Sequence, residues 1–305
     1  MQDLIRKFSD RCDLISVSDV PLLREIFNKV ERHSWAYFAP YLACYSLPPS
    51  RPLYLLKKGN NFYILQYLSR EHSNRVDLIL PPAILTSVIK SDLLQMKEYL
   101  DQPDIRILWV DSYDVDGLKK IFGKDIDIRE KEKEYMYDPK IVFGLEGKEF
   151  KDVRKRINRI AAQNPVFFPL EKNDLPVAEE LLSKWRSTQG KKNRFLFDWG
   201  YTRAAIHSVE VFNARDMSAW GLELDKKLVG FSMAGPINRN TACFFVAKTS
   251  IGITGVSEYL RWRTFGMLRD YNLVNDASDL GIAGLRQHKL KFRPCGLKPV
   301  YTATI

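Results

Sequence analysis

Two short polar breaks, each set inside a pair of apolar runs, restrict the folding of this chain more than any other feature. "LYLLKKGNNFYILQYL" (Leu53 to Leu68) places apolar runs on both sides of Gly59-Asn60-Asn61. "MSAWGLELDKKLVGFSMAG" repeats the device about Asp225-Lys226-Lys227. Turn-forming residues between strand-forming runs predict β-hairpins. The segments that follow are also alike. Each hairpin leads to a third strand ("RVDLILPP"; "TACFFVAK") and a long helix (Ile84 to Leu100; Gly255 to Tyr271). A further strand comes next (Ile105 to Val110; "NLVND"), then a short helix ("DVDGLKKIFG"; "IAGLRQHKL"). Helical stretches precede each hairpin. Val20 to His33 carries Leu22, Leu23, Ile26, Phe27 and Val30 on one face, with Asp19 as its cap. Asn173 to Gly190, capped by Asp174, and Tyr201 to Arg215 precede the second.

The order of elements recurs although no residue-level repeat is visible, and two copies of one α/β unit explain this economically. The expected fold class is α/β with mixed sheets, in units 1–140 and 141–305, with one continuous domain as the alternative. A helix from Val142 to Pro165 joins the copies, and "VYTATI" closes the chain as a strand. The charged stretch from Asp125 to Asp138 separates the short helix from the joining helix.

With 45% hydrophobic and 28% charged residues in 305, the chain is expected to be soluble with a substantial core. Pro81 and Pro82 interrupt the apolar stretch Leu78 to Ile89, which is far short of the ~20 residues of a spanning helix. The opening "MQDLIRKFSDRCDL" lacks the apolar core of a secretory signal, so a cytoplasmic location is expected. Cys12, Cys44, Cys243 and Cys295, like His33, His72, His207 and His288, are too scattered for metal-ligand spacing or a disulfide framework. The net charge of +10 points to anionic partners: nucleic acid, anionic lipid, or a phosphate-bearing molecule such as coenzyme A.

Two segments carry the chemistry. "VNDASDLGIAGLRQHKLKFRPCG" (Val274 to Gly296) ends a strand in Asn275 and Asp276, then passes Asp279, Gly281 and Gly284 into a short helix with Arg286 and Lys289. Such a corner suits an anion on the bases and an amine on the acids, or else Asp279 caps the helix and pairs with Arg286. The second is the turn "KTSIGITG" (Lys248 to Gly255), where Gly252 and Gly255 allow close backbone approach ahead of the long helix.

A hairpin and third strand feeding a long helix resembles the GNAT acyltransferase fold, in which that turn offers backbone N–H groups to a pyrophosphate. The resemblance implies acyl-CoA as donor substrate, with Lys248, Gly252 and Gly255 binding it. The family pattern Gln/Arg-x-x-Gly-x-Gly/Ala is not met here, because the glycines stand three apart. The first copy has prolines at the corresponding turn ("PPAILTSVIK"), so it is expected to be degenerate and to shape the cleft.

"GKEFKDVRKRINRI" (Gly147 to Ile160), together with the Asp-Leu-Gly, Gly-Leu-Arg, Lys and Pro of the closing segment, resembles the phosphatidylglycerol lysyltransferase C-terminal-like family. The resemblance implies two tandem GNAT units. It also implies transfer of an acyl or aminoacyl group, from acyl-CoA or aminoacyl-tRNA, to an amine or hydroxyl on a small molecule, peptide or lipid headgroup. No metal is implied. Asp276 and Asp279 are the candidate bases and Tyr259 the candidate proton source, with Glu223, Glu258 and Tyr301 as further acids and donors. Arg286, Lys289 and Arg154 are the candidate substrate-binding residues. Cys295 is expected to be a buried structural thiol. The basic run Lys151, Arg154, Lys155, Arg156 and Arg159 is either a phosphate contact or a solvated helix face. The alternative function is a non-catalytic module holding an anionic metabolite or nucleic acid.

Overall fold

A computed structural model describes residues 11–47, 52–70, 73–190 and 198–305, so His72 and the first ten residues lie outside the described residues. The chain divides into two compact units, Met1–Lys133 with Lys298–Ile305, and Glu134–Leu297.

Unit 1 starts with strand Arg11–Leu14 (β1) and helices Val20–Phe27 (α1) and Ala39–Ser46 (α2). The predicted hairpin is Leu53–Lys58 (β2) with Asn61–Arg70 (β3); Lys58 pairs with Asn61 across a turn in which Gly59 has φ 56°. Ser73–Leu80 (β4), Val88–Tyr99 (α3), Arg106–Asp111 (β5) and Val115–Phe122 (α4) follow in the predicted order. Strands β1 to β4 are antiparallel neighbours and β5 runs parallel to β4. Ile89, Leu93 and Met96 of α3 and Leu118 and Phe122 of α4 pack on Leu65, Leu78 and Ile107 of the sheet.

The charged stretch is a strand, Asp127–Tyr137 (β6), whose residues to Lys133 belong to unit 1 and the rest to unit 2. The expected joining helix is two helices, Pro139–Gly144 (α5) and Lys151–Ala161 (α6). Left-handed backbone at Leu145 (φ 51°) and Gly147 (φ 88°) breaks it. Val166–Pro169 (β7), Leu175–Trp185 (α7) and Asp198–His207 (α8) lead to the second hairpin, Ser218–Leu224 (β8) and Lys227–Pro236 (β9). Its turn residues Asp225 and Lys226 have φ 49° and 60°, as a two-residue turn matched to strand twist requires. Thr241–Thr249 (β10), Val256–Met267 (α9), Leu273–Asn275 (β11) and Ala283–Leu290 (α10) complete unit 2. Its strand order is β6-β11-β10-β9-β8-β7, parallel between β11 and β10 and antiparallel elsewhere. Val153, Ile157 and Ile160 of α6 and Leu260 and Phe265 of α9 fill its core.

The last strand, Gly296–Thr304 (β12), pairs antiparallel with β5 from Val300 onward, so the C-terminus supplies a strand to unit 1. Asp19 and Asp174 do stand at helix starts, but their carboxylates turn back to the amides of Ser16 and Glu171 instead of capping forward. No helix among the described residues is long and apolar enough to cross a membrane.

Candidate functional site

Strands β10 and β11 pair only over Thr241–Cys243 with Leu273–Asn275, while β10 runs on to Thr249. A bulge between Phe244 and Val246 falls where β11 leaves. Bulges add local twist and re-aim side chains, which fits a place where neighbouring strands part. β11 ends because the Asn275 side chain accepts from the Ala277 amide and Ala277 (φ 53°) turns the chain. Asn275 also donates to the buried carboxylate of Glu134 at 2.6 Å.

Beside this divergence lies a buried charge cluster. The Asp276 carboxylate accepts from Arg261 of α9 at 2.5 Å and lies 3.2 Å from the Lys289 ammonium of α10. The three residues are 4%, 5% and 3% exposed, so no solvent screens them. Lys289 also donates to the carbonyls of Asp276 and, at 3.3 Å, Ala277. Arg261 lies over the rings of Phe244 (4.5 Å) and Phe292 (5.5 Å), and its Nε has no hydrogen-bond partner. Two cations share one carboxylate here. Burial accordingly lowers the Lys289 pKa against the pull of Asp276. Burial, with Arg261 as the next cause, brings His288 on the same helix down to about 3.

Asp279 is held separately. Its carboxylate accepts from Tyr135 (2.6 Å), Arg286 Nε (2.8 Å) and the Gly281 amide (2.9 Å). Burial raises its pKa, but these donors outweigh burial and the net shift is downward. Of the predicted corner, then, Asp276 meets Lys289 and Asp279 meets Arg286, and both acids are already in ion pairs.

Unit 1 contains the same construction. Asp111, the last residue of β5, and Asp114 stand three residues apart, as do Asp276 and Asp279, which come directly after β11. Asp111 lies 3.1 Å from Lys298 and accepts from the Ser34 and Tyr113 amides. Asp114 accepts from Arg32 at 2.6 Å and Tyr37 at 3.0 Å. Each unit thus closes the end of one strand, β5 or β11, with two aspartates, the first met by a lysine and the second by an arginine and a tyrosine. Burial lifts the Asp114 pKa despite Arg32, the opposite of Asp279, because its side chain is 1% exposed against 13%.

The turn before α9 divides its predicted roles. A Cβ on Gly255 would lie 2.6 Å from the Arg156 carbonyl of α6, so this glycine serves helix packing. A Cβ on Gly252 would meet nothing within 4 Å, so its close-approach side is open. Lys248 is buried with its ammonium 3.7 Å from the Trp185 ring. Tyr259 is packed edge-on against Trp262, with its hydroxyl 3.4 Å from Arg263. Glu258, in the first turn of α9, is met by Ser257 (3.0 Å), Lys291 (3.2 Å) and Arg156 (3.6 Å). Burial opposes its charge, but His288, Ser257 and Lys291 together hold the carboxyl below its usual range. Arg154 donates to the carbonyls of Leu145 and Gly147 and so closes the break after α5. Tyr301 lies in unit 1, paired with Val110. Cys295, expected to be buried, is exposed in the short connection between α10 and β12, with its thiol donating to the Met136 carbonyl at 3.3 Å.

Arg261, Tyr135 and the unit 1 aspartates were not singled out from the sequence. The one available signal was the Asp-x-x-Asp spacing at the ends of β5 and β11.

The profile of the family described as phosphatidylglycerol lysyltransferase, C-terminal, matches residues 81–304. Among solved structures, a conserved protein of unknown function from Bacteroides thetaiotaomicron superposes with a TM-score of 0.80 at 19% identity, covering 96% of this chain and 99% of that one. The C-terminal domain of a putative lysylphosphatidylglycerol synthetase from Agrobacterium fabrum gives 0.63 at 15% identity, covering 94% and 91%. A tandem GNAT protein from the clavulanic acid biosynthesis pathway gives 0.50 at 9%, covering 97% and 98%. At these identities the structures establish the fold, which is a tandem of GNAT-like units. Comparison with curated proteins yields no match. The family profile spans well over half of the chain, and the chain belongs to the phosphatidylglycerol lysyltransferase C-terminal family.

Proposed function

We propose that unit 2 transfers an acyl or aminoacyl group from an activated ester or thioester to an amine or hydroxyl. The observation that carries this reading is the parting of β10 from β11 after Cys243. Among the described residues no strand pairs with that side of β10 beyond Cys243, which leaves main-chain N–H groups as donors for a developing oxyanion. In the step itself the acceptor nitrogen or oxygen bonds to the donor carbonyl carbon. The bond to the leaving oxygen or sulfur breaks, and the leaving group takes up the acceptor's proton. Donor phosphates suit the open side of the Gly252 turn and the amides at the start of α9, with Lys291 and Arg156 adding positive charge. The fit to a coenzyme A pyrophosphate is partial, because Gly255 is occupied with α6.

The non-catalytic reading has its own support. Arg261 and Lys289 both engage Asp276, and Arg286 and Tyr135 engage Asp279, so neither candidate base is poised to take a proton. A thermal-shift titration at fixed salt with acetyl-CoA, a long-chain acyl-CoA and bulk aminoacyl-tRNA separates the readings. A ligand present at a hundred times its dissociation constant adds ~2.7 kcal/mol of stability. A shift lost in Gly252→Pro, accompanied by deacylation of the donor when acceptor is added, is the result expected of the transferase. A shift without turnover of any donor favours the binding module.

A further inference from the structure

Arg261 touches both chains where β10 and β11 part. It leaves α9 with its guanidinium 4.5 Å from the Phe244 ring at the β10 bulge, and with a nitrogen 2.5 Å from the carboxylate of Asp276, the residue after β11. The Phe292 ring, beyond α10, lies 5.5 Å from it. One buried side chain thus ties α9 to the open strand on one side and to the departing strand on the other, all within unit 2. Charge balance does not require it. Lys289 already lies 3.2 Å from the Asp276 carboxylate, and in unit 1 a single lysine, Lys298, balances Asp111. The arginine brings a second buried charge and an Nε without a hydrogen-bond partner, both of which an apolar side chain of similar size would avoid.

We propose that Arg261 is a positioning residue for transfer by unit 2, a strut that fixes the distance between β10 and the end of β11. The inference rests on the reading of unit 2 as a transferase and adds the group that holds its geometry. A guanidinium is planar, so its face lies against Phe244 while its edge donates to Asp276, and one rigid group sets both distances. An ammonium is a point charge on a flexible stem and sets only one. The start of α9, suited to donor phosphates, and the side of β10 left unpaired beyond Cys243, suited to the donor carbonyl, are held in register by this contact. A misplacement of ~1 Å costs on the order of a hundredfold in rate, which is the reason such a site needs a rigid spacer.

The test uses two variants of the full chain, Arg261→Met and Arg261→Lys. The first leaves Asp276 paired with Lys289 alone and the second keeps the number of charges, so both should fold, which thermal melting checks. Hydrogen exchange read by mass spectrometry reports the strut itself. The Asp276 and Ala277 amides, which donate to the Tyr135 carbonyl and the Asn275 side chain, should exchange faster in both variants while β8 and β9 stay unchanged. Turnover of acetyl-CoA, a long-chain acyl-CoA and bulk aminoacyl-tRNA, with hydroxylamine as the amine acceptor, reports its use. The kcat for whichever donor the wild type turns over should fall on the order of a hundredfold, with KM little changed. A side chain that only stabilised the fold would leave kcat per folded molecule at the wild-type value. Wild-type exchange at Asp276 and Ala277 in both variants overturns the strut, whatever the turnover. Wild-type kcat in either variant overturns the positioning role. A wild type that turns over no donor overturns the transferase reading instead, and the exchange rates then decide the strut alone.

Discussion

The Asp276 cluster makes a prediction that depends on counting charges. Arg261 and Lys289 share one buried carboxylate, at 2.5 Å and 3.2 Å, and all three residues are at most 5% exposed. Asp276→Asn leaves two buried cations facing a neutral amide. Breaking a buried pair from one side costs about 3–5 kcal/mol, and a second stranded cation pushes the figure to the upper end. Lys289→Met leaves one cation against one anion. It removes donors from the carbonyls of Asp276 and Ala277, at about 1 kcal/mol each, and relieves the burial penalty of an ammonium that the site already disfavours. The expected net cost is about 1 kcal/mol or less. Urea unfolding at neutral pH, compared at constant slope, reads the difference as separated midpoints. The cluster also sets a pH dependence. A lysine whose folded pKa is depressed binds fewer protons folded than unfolded, so Lys289 adds stability as pH rises from that depressed value to 10.5, a rise that Lys289→Met abolishes. Equal destabilisation by the two substitutions would refute the charge count in which Arg261 and Lys289 share Asp276.

The remaining predictions are shorter. His288 titrates near 3 folded against 6.5 unfolded, so stability falls as pH drops from 6.5 toward the folded value; His288→Gln should flatten thermal melting between pH 6.5 and 4.5, above the carboxylate range. Gly252→Ala and Gly255→Ala both force positive φ (92° and 101°) on alanine, at about 1–3 kcal/mol, but only Gly255→Ala also drives a methyl into the Arg156 carbonyl. The melting temperature of Gly255→Ala should therefore be clearly lower. Tyr37→Phe and Tyr135→Phe each remove one donor from a clasp carboxylate, at about 1–2 kcal/mol by chemical denaturation, and the more deeply buried Asp114 should make Tyr37→Phe the costlier.

The hairpins, the long helices and the order of elements were legible because period and turn chemistry are local. Asp225 and Lys226 carry their turn in two residues, and Val153, Ile157 and Ile160 mark the buried side of α6 whatever else is present. Three things were hidden for definite reasons. β6 reads as a solvated charged stretch because no apolar face accompanies its alternation before Tyr135. The exchange of β12 into unit 1 depends on pairing nearly two hundred residues apart, from Val300 to Asp111, which no local pattern encodes. Arg261, within "EYLRWRTFG", looks like a surface residue of an amphipathic helix until Asp276 and Phe244 are placed beside it.

The same reason accounts for the repeat that the sequence shows only as two Asp-x-x-Asp spacings. The partners come from unrelated places: Lys298, Arg32 and Tyr37 in unit 1, and Lys289, Arg286 and Tyr135 in unit 2. What the two units share is a requirement at the ends of β5 and β11. There the chain must turn sharply beside a parallel neighbour, and the first aspartate accepts backbone amides or carries a cation that does the corresponding work on carbonyls. In unit 1 the amides of His33, Ser34 and Tyr113 approach Asp111 directly, leaving one lysine to balance its charge. In unit 2, among the described residues, no backbone amide donates to the Asp276 carboxylate, and a second cation, Arg261, takes the place on the side where β10 and β11 part. The unpartnered Nε of that arginine is where the two constructions differ most. A buried donor without an acceptor is costly, and its retention beside the strand divergence in unit 2 is a physical reason to look for the reacting group there.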